Sequence, residues 1–135
     1  MKGENIKDRT MKFAIRVLSM TSAIPKDYSS QILAHQIVRS ATSAGANYRA
    51  ACRSKSRRDF VNKLKIVEEE LDETSYWLEV IDESKIFPPE RISPLISENN
   101  ELLSIIVKSI QTAKINGVAG NKRMTNPGIT NPGMR

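Results

Sequence analysis

The chain has 135 residues, of which 39% are hydrophobic and only 5% aromatic, so it suits one domain with an aliphatic core. Its formal net charge of +6 favours an acidic partner: nucleic acid, an anionic membrane surface or an acidic protein. The single cysteine excludes an internal disulfide, and the lack of a long apolar run or a visible signal peptide predicts a cytoplasmic protein with no membrane partner.

The first two helices are predicted from apolar periodicity and from the residues at their ends. Apolar side chains recur mostly at three- and four-residue steps over residues 5–22, and Pro25 ends this helix because proline lacks an amide donor. These side chains are Ile6, Phe13, Ala14, Val17, Leu18 and Met20. A second helix starts near residues 27–30, where short polar side chains can cap free amides, and runs to about Ala51.

The second half of this helix, residues 40–51, is rich in Ala, Ser and Gly. Such small side chains let a neighbouring backbone come close. A glycine inside a helix costs about 1 kcal/mol relative to alanine, so a close contact at Gly45 is expected. We therefore predict a tightly packed helix pair here, and a bend in the helix is the alternative.

The third helix has the most regular pattern. Its apolar positions are separated by alternating steps of four and three residues, which is a heptad seam with one polar member, Thr74. The seam consists of Phe60, Leu64, Val67, Leu71, Thr74, Leu78 and Ile81. Ser54 and Ser56 precede the helix as candidate caps, and the pair Pro88 and Pro89 stops it.

A fourth helix opens around residues 89–93 and is predicted to run to about Ile115. Ile105 and Val107 fall off its main apolar face, and a second copy of the protein would cover them most easily. Residues 117–135, with Thr-Asn-Pro-Gly twice, are predicted to be a disordered tail. Short links make consecutive helices antiparallel, so residues 1–116 are predicted to form an all-α, up-and-down antiparallel four-helix bundle.

The polar side chains do not form a constellation typical of catalysis. Carboxylates concentrate at Glu68, Glu69, Glu70, Asp72 and Glu73, but no acidic residue lies three positions before His35, the only histidine. This excludes the Glu-x-x-His pattern of di-metal bundles. We expect no metal, no cofactor and no enzyme activity. The carboxylates are predicted to form a solvated acidic face; alternatively, Glu70 or Glu73 pairs with Arg39 or Arg49 at a subunit contact.

A basic cluster is the most specific functional signal. Seven cations lie between positions 49 and 65, opposed only by Asp59. They are Arg49, Arg53, Lys55, Arg57, Arg58, Lys63 and Lys65. Arg53 suits a helix C-terminus, whereas Lys55, Arg57 and Arg58 sit near a helix N-terminus, where cations are unfavourable. We predict that this cluster, without Lys65, binds phosphates of RNA or DNA with little sequence preference; the alternative is a plain solvated face.

Three single residues receive weaker predictions. His35 is expected at the surface or an interface rather than as a ligand, and Cys52 is expected to be partly buried among small residues. Trp77 lies one step off the seam of the third helix. We expect it to pack against a neighbour, across a subunit boundary, rather than to stack on a base.

Three segments carry a resemblance to a known family: residues 36–41 (Gln-Ile-Val-Arg-Ser-Ala), 43–48 (Ser-Ala-Gly-Ala-Asn-Tyr) and 53–60 (Arg-Ser-Lys-Ser-Arg-Arg-Asp-Phe). They resemble the four-helix-bundle proteins encoded in intervening sequences of bacterial 23S ribosomal RNA genes. Those share a Gln-Ile-x-Arg-Ala start, a Ser-Ile-x-x-Asn-Ile-Ala-Glu-Gly core and a Ser-x-x-Glu-Phe opening of the next helix. Residues 68–70, Glu73 and residues 77–78 also fit, so the resemblance covers about residues 10–115.

The chain departs from this pattern in two places. The family's Ala-Glu-Gly is replaced by Arg49, Ala50 and Ala51, so the usual carboxylate is missing, and Asp59 stands in for Glu before Phe60. The resemblance implies a homopentamer and a relation to accessory proteins of diversity-generating retroelements, which bind nucleic acid and associate with a reverse transcriptase. The predicted oligomer interface consists of Arg39, Tyr48, Glu70, Glu73, Trp77, Ile105 and Val107.

Two functions follow as hypotheses. In the first, a non-catalytic homo-oligomer binds RNA or DNA nonspecifically through a basic rim. In the second, the protein is a scaffold for protein–protein contacts, for example an accessory subunit of a reverse transcriptase complex, and makes no direct contact with nucleic acid.

Overall fold

The helices pack in a ring that follows their order in the chain. A computed structural model describes residues 2–124, with side-chain surroundings for residues 5–117. It contains α1 (Lys2–Thr21), α2 (Tyr28–Cys52), α3 (Arg57–Glu83) and α4 (Pro89–Met124). Each helix packs on the one before it and the one after it, and α1 also packs on α4, which closes the ring. The predicted all-α four-helix bundle is confirmed, with no strand among residues 2–124.

Short polar side chains set the starts of α2 and α3. The Asp27 carboxylate accepts a hydrogen bond from the Ser30 amide at 3.2 Å, and the Ser56 hydroxyl accepts one from the Asp59 amide at 3.0 Å. Each cap satisfies an amide that has no partner within its own helix. Both caps lie where the sequence predicted them, with Ser56 rather than Ser54 capping α3.

The end of α1 lies within one residue of the predicted end at residue 22. The helix ends at Thr21, and tight turns follow in which the Ser22, Ala23 and Ile24 amides donate to carbonyls three residues back. Ile24 is then buried in the core. An apolar side chain that must turn inward therefore ends the helix before the proline is reached.

The apolar seam of α3 forms the centre of the core. Six of its seven predicted members are buried: Leu64, Val67, Leu71, Thr74, Leu78 and Ile81. At the start of α3 the buried position belongs to Val61, whereas Phe60 is only half-buried. Phe60 still packs against the core, so two adjacent side chains cover the core at the first turn of α3.

A buried polar layer crosses the core at the middle of the bundle. The Ser40 and Thr74 hydroxyls lie 2.7 Å apart and join α2 to α3. Thr74 also donates to the Glu70 carbonyl at 2.7 Å, and the Asn99 amide group donates to the Leu71 carbonyl at 3.0 Å, which joins α4 to α3. Because a buried polar group is costly without a partner, these bonds favour one alignment of the three helices.

The small residues of α2 bring α1 close, as predicted. The face of Gly45 lies against the buried Thr10, and a Cβ atom placed on Gly45 would sit 3.5 Å from the Thr10 hydroxyl oxygen. That distance is an ordinary van der Waals contact. α2 continues through this point to Cys52, so Gly45 does not interrupt the helix.

The last helix is longer than the sequence predicted. It does not stop near Ile115 but continues through Gly117 to Met124. A glycine costs only about 1 kcal/mol in a helix, and extending a helix that is already packed needs no new nucleation. The predicted boundary at residue 117 thus falls inside α4, and residues 125–135 of the predicted tail lie outside the described residues.

We predict that Gly45→Ala raises the free energy of unfolding by about 1 kcal/mol, because the added methyl group fits against Thr10 and removes the helical cost of glycine. Urea unfolding followed by circular dichroism measures this change. The neighbouring exposed position gives a matched control: Ala46→Gly should lower stability by a similar amount. A destabilised Gly45→Ala protein would show that the two helices pack more tightly than described.

Candidate nucleic-acid interface

The predicted basic cluster lies at one end of the bundle, where α2 ends and α3 begins. Of its six cations that were predicted to bind phosphates, five are exposed, and none of these five forms an ion pair with a described residue. We call this group the basic corner; it consists of Arg49, Arg53, Lys55, Arg57 and Arg58. The sixth predicted residue, Lys63, is half-buried and pairs with Asp59 at 2.9 Å. That pairing lowers the pKa of Asp59 and makes Lys63 a weaker candidate for phosphate binding.

Local structure fixes two members of the basic corner. Arg53 is the C-cap of α2, and its amide donates to the Ala50 carbonyl at 3.1 Å; a cation suits this end of a helix. Arg57 was expected to have no structural role, but its guanidinium donates to the Asn116 carbonyl of α4 at 3.2 Å. Its stem also lies against Gly117, where a Cβ atom would be 2.8 Å from Arg57 Cδ. Lys55 and Arg58 make no such contact with a described residue.

The suggested partners of Arg39 lie within its own chain. The Arg39 guanidinium donates to Glu70 at 3.3 Å and to Glu73, and so links α2 to α3. Glu73 also accepts a hydrogen bond from Trp77 Nε1 at 3.0 Å, and the Trp77 ring meets the exposed Tyr76 edge to face. Bonding to Arg39, and then to Trp77, lowers the pKa of Glu73. The pairing therefore requires no second subunit.

The remaining predicted interface residues are less available than expected. Tyr48 is buried in the core, and this burial, followed by the neighbouring Cys52 thiol, raises the pKa of Tyr48 to about 12. Ile105 and Val107 are half-buried by contacts within the chain, so α4 has little uncovered apolar surface at these positions. Cys52 was predicted to be partly buried but is exposed, and His35 is exposed as expected.

An exposed apolar stripe on α1 was not predicted. Met11, Ile15 and Leu18 are 46%, 56% and 51% exposed, although Leu18 belongs to the apolar pattern that predicted the helix. Their spacing of four and three residues puts them on one side of the helix, away from the core residues Phe13 and Val17. The same spacing is visible in the sequence, where it could have indicated a second apolar face.

The described residues offer no metal site or membrane span. No cluster of three or more His, Cys, Asp or Glu side chains among them could hold a metal ion. Within the same part of the chain, no helix has the length and apolar character needed to cross a bilayer.

Comparison with known proteins identifies the family. The family model of the 23S rRNA-intervening sequence protein matches residues 4–108, which include most of α1, all of α2 and α3, and the whole basic corner. The chain belongs to this family. A crystal structure from Bacteroides thetaiotaomicron, described as a protein with unknown function from the S23 ribosomal protein family, is 32% identical; the match covers 82% of this chain and 99% of that one, with a TM-score of 0.76. Among curated proteins, none matches this sequence.

Membership of the 23S rRNA-intervening sequence family confirms the resemblance and the fold. Family membership identifies no catalytic residue, because the family description names no activity and the Bacteroides relative is described as having unknown function. In this member of the family, the exposed cations of the basic corner are the chemical feature that a function must explain.

We predict that the emission of Trp77, the only tryptophan, changes with pH as Glu73 titrates, with a midpoint below the ordinary glutamate value of 4.5. The pKa of Glu73 is lowered in the folded chain, so its stabilising effect is present above about pH 4.5 and is lost as the pH falls through the midpoint. Arg39→Met should raise the midpoint, and the exposed control Glu79→Gln should not. An unchanged midpoint in Arg39→Met would contradict the assigned cause.

Proposed function

We propose that this 23S rRNA-intervening sequence family member is a cytoplasmic binding protein that contacts the phosphate backbone of RNA or DNA through its basic corner, without sequence preference. One observation carries the proposal: five exposed cations lie together and have no acidic partner among the described residues. Elsewhere some cations pair with carboxylates, as Arg9 does with Glu98 and Glu101 and Arg39 with Glu70 and Glu73. The basic corner differs in that five cations that are unpaired among the described residues are grouped within residues 49–58.

The charge along α3 supports an external anion at this end. The helix begins with Arg57 and Arg58, whereas Asp82 and Glu83 lie at its far end. Cations at a helix N-terminus and carboxylates at a C-terminus both oppose the helix dipole. A phosphate bound at the basic corner would offset this arrangement at the N-terminal end. Phosphates neutralised by Lys and Arg release counterions, which gives affinity that does not depend on sequence.

Assembly would strengthen such binding. We propose, from the family resemblance, that the protein forms a homo-oligomer, with five copies as the expected number. One basic corner holds too few cations for tight binding at physiological salt. Several corners on one assembly would engage the same strand, and linked weak contacts increase the overall affinity strongly.

We predict that the protein binds labelled RNA and duplex DNA in fluorescence anisotropy titrations and that its affinity falls steeply with salt. Replacing Arg57 and Arg58 by glutamate should lower the affinity at least about tenfold and reduce the log–log salt slope by about 2. Circular dichroism should show the bundle intact, since both side chains are exposed.

A charge-matched control separates a local effect from net charge. Arg16 and Lys26 are exposed and lie away from the basic corner, toward or beyond the other end of α1. Replacing both by glutamate changes the net charge equally and should alter affinity much less. Absence of binding at low salt, or an equal loss in both double variants, would refute the basic corner as the interface.

The second candidate function is a scaffold for protein contacts, including the accessory-subunit role that the family resemblance implies. The exposed apolar stripe of α1 favours it, because large apolar side chains grouped on one helix face commonly mark a contact surface. We propose that a second copy of the chain covers this stripe, which would make it part of the same homo-oligomer.

We predict that light scattering coupled to gel filtration gives a mass near five times the 15.1 kDa chain. Replacing Ile15 and Leu18 by glutamate should reduce the mass to that of one chain, because charges cannot be buried unpaired at the contact. Arg16→Glu, at an exposed position on a different face of the same helix, should leave the mass unchanged. A wild-type monomer at micromolar concentration would exclude this assembly.

A further inference from the structure

A groove of about 760 Å³ opens beside the basic corner, and all four helices contribute to its wall. Its apolar surface includes Ile6 of α1, Ala51 of α2, Phe60 of α3 and Ile105 of α4. Its volume lies within the usual range for sites that hold a small molecule. The groove is therefore large enough to take a flat ring together with its substituents.

Cations and neutral polar groups surround this apolar surface. Arg57 and Lys108 line the groove, and both are exposed without an acidic partner among the described residues. Ser109, Thr112 and Asn116 supply hydroxyl and amide groups on α4. The groove thus combines an apolar interior, hydrogen-bonding groups and positive charge at its edge.

We propose that this groove takes one unpaired base of a single-stranded nucleic acid, with the adjoining phosphate on Arg57 and Lys108. The inference rests on the proposed function, because the basic corner would hold the rest of the strand. A base has two flat apolar faces, which suit Ile105 and the half-buried ring of Phe60, and a polar edge, which suits the α4 groups. The phosphate supplies the negative charge that the two cations lack.

A duplex cannot use the groove in the same way. Its bases are paired and stacked, and turning one outward costs a few kcal/mol. Duplex DNA would therefore contact only the exposed cations of the basic corner. Stacking of one base contributes about 1–3 kcal/mol, so a single strand should bind at least about fivefold more tightly than a duplex of equal charge. An apolar peptide side chain fits less well, because it would leave Arg57 and Lys108 without a counter-charge.

The chain contains its own reporter for this site. Cys52 is the only cysteine, it is exposed, and it lines the groove. Alkylation by a maleimide therefore modifies one position of the full-length protein and partly fills the groove without a mutation. A ligand that occupies the groove should in turn protect this thiol.

The experiment compares an oligouridine of about 24 nucleotides with a duplex of about 12 base pairs, which carries nearly the same number of phosphates. Both are used at low salt and at saturation as judged by anisotropy. We expect the single strand to slow alkylation of Cys52 at least about fivefold and the duplex to leave it nearly unchanged. Prior alkylation should weaken binding of the single strand to the level of the duplex. Cys52→Ser treated with the same reagent is the matched control and should keep the preference.

A second variant tests the apolar surface directly. Phe60→Leu keeps an apolar side chain but removes the ring, and it should abolish the preference for single strands while duplex affinity stays constant. If both ligands bind but neither protects Cys52, or both protect it equally, the groove holds no base and the inference fails while backbone binding stands. If neither ligand binds at low salt, the proposed function itself fails.

Discussion

The burial of one side of α3 against both α2 and α4 is the constraint on which the rest of the structure depends. Leu64, Val67, Leu71 and Ile81 of its seam are fully buried, as is the polar Thr74. Burying a side chain of this size contributes about 1.5–3 kcal/mol relative to leaving it exposed. Ser40 and Asn99 form buried hydrogen bonds to α3. These bonds fix the position of α3 along the bundle axis as well as its rotation about its own axis. The position of every other helix follows from this alignment.

With α3 fixed in this way, the end of the bundle at which α3 begins carries exposed positive charge. The Ser56 cap starts the helix at a defined residue, and the cations on either side of it face solvent. Arg57 reaches α4 through the Asn116 carbonyl, which holds the basic corner against the end of the last helix. Two acidic residues of α3, Glu70 and Glu73, lie away from the basic corner and bond to Arg39. The chain thus separates its charges along the bundle, and a net positive end results.

Much of the fold could be predicted because it depends on local pattern. The seam of α3 and the caps Asp27 and Ser56 were predicted from spacing and residue type alone, since a heptad repeat and a short polar cap are local signals. The extension of α4 through Gly117 was not predicted. The free-energy cost of a glycine in a helix is small, and contacts such as that with Arg57 outweigh it. The exposure of Cys52 depends on how far α2 reaches past its neighbours, and sequence spacing does not contain that information.

The composition of the sequence predicted the candidate site, and distances in the structure show which of its cations remain available. Clustering of cations between positions 49 and 65 is visible in the sequence. Which of them remain available depends on partners distant in the chain or one turn away, such as Asn116 for Arg57 and Asp59 for Lys63. The partial burial of Ile105 and Val107 likewise depends on tertiary packing, as does the exposure of the apolar stripe on α1.

The central claim is that nucleic acid meets the protein at its basic end. Photo-crosslinking of the full-length protein to RNA that contains 4-thiouridine, followed by mass spectrometry of the digested adducts, tests it most directly. Adducts are expected on residues 48–60 and 105–117, which surround the basic corner and the neighbouring groove. Adducts concentrated instead near Lys26, Lys85 or Arg91, at the opposite end of the bundle, would contradict it.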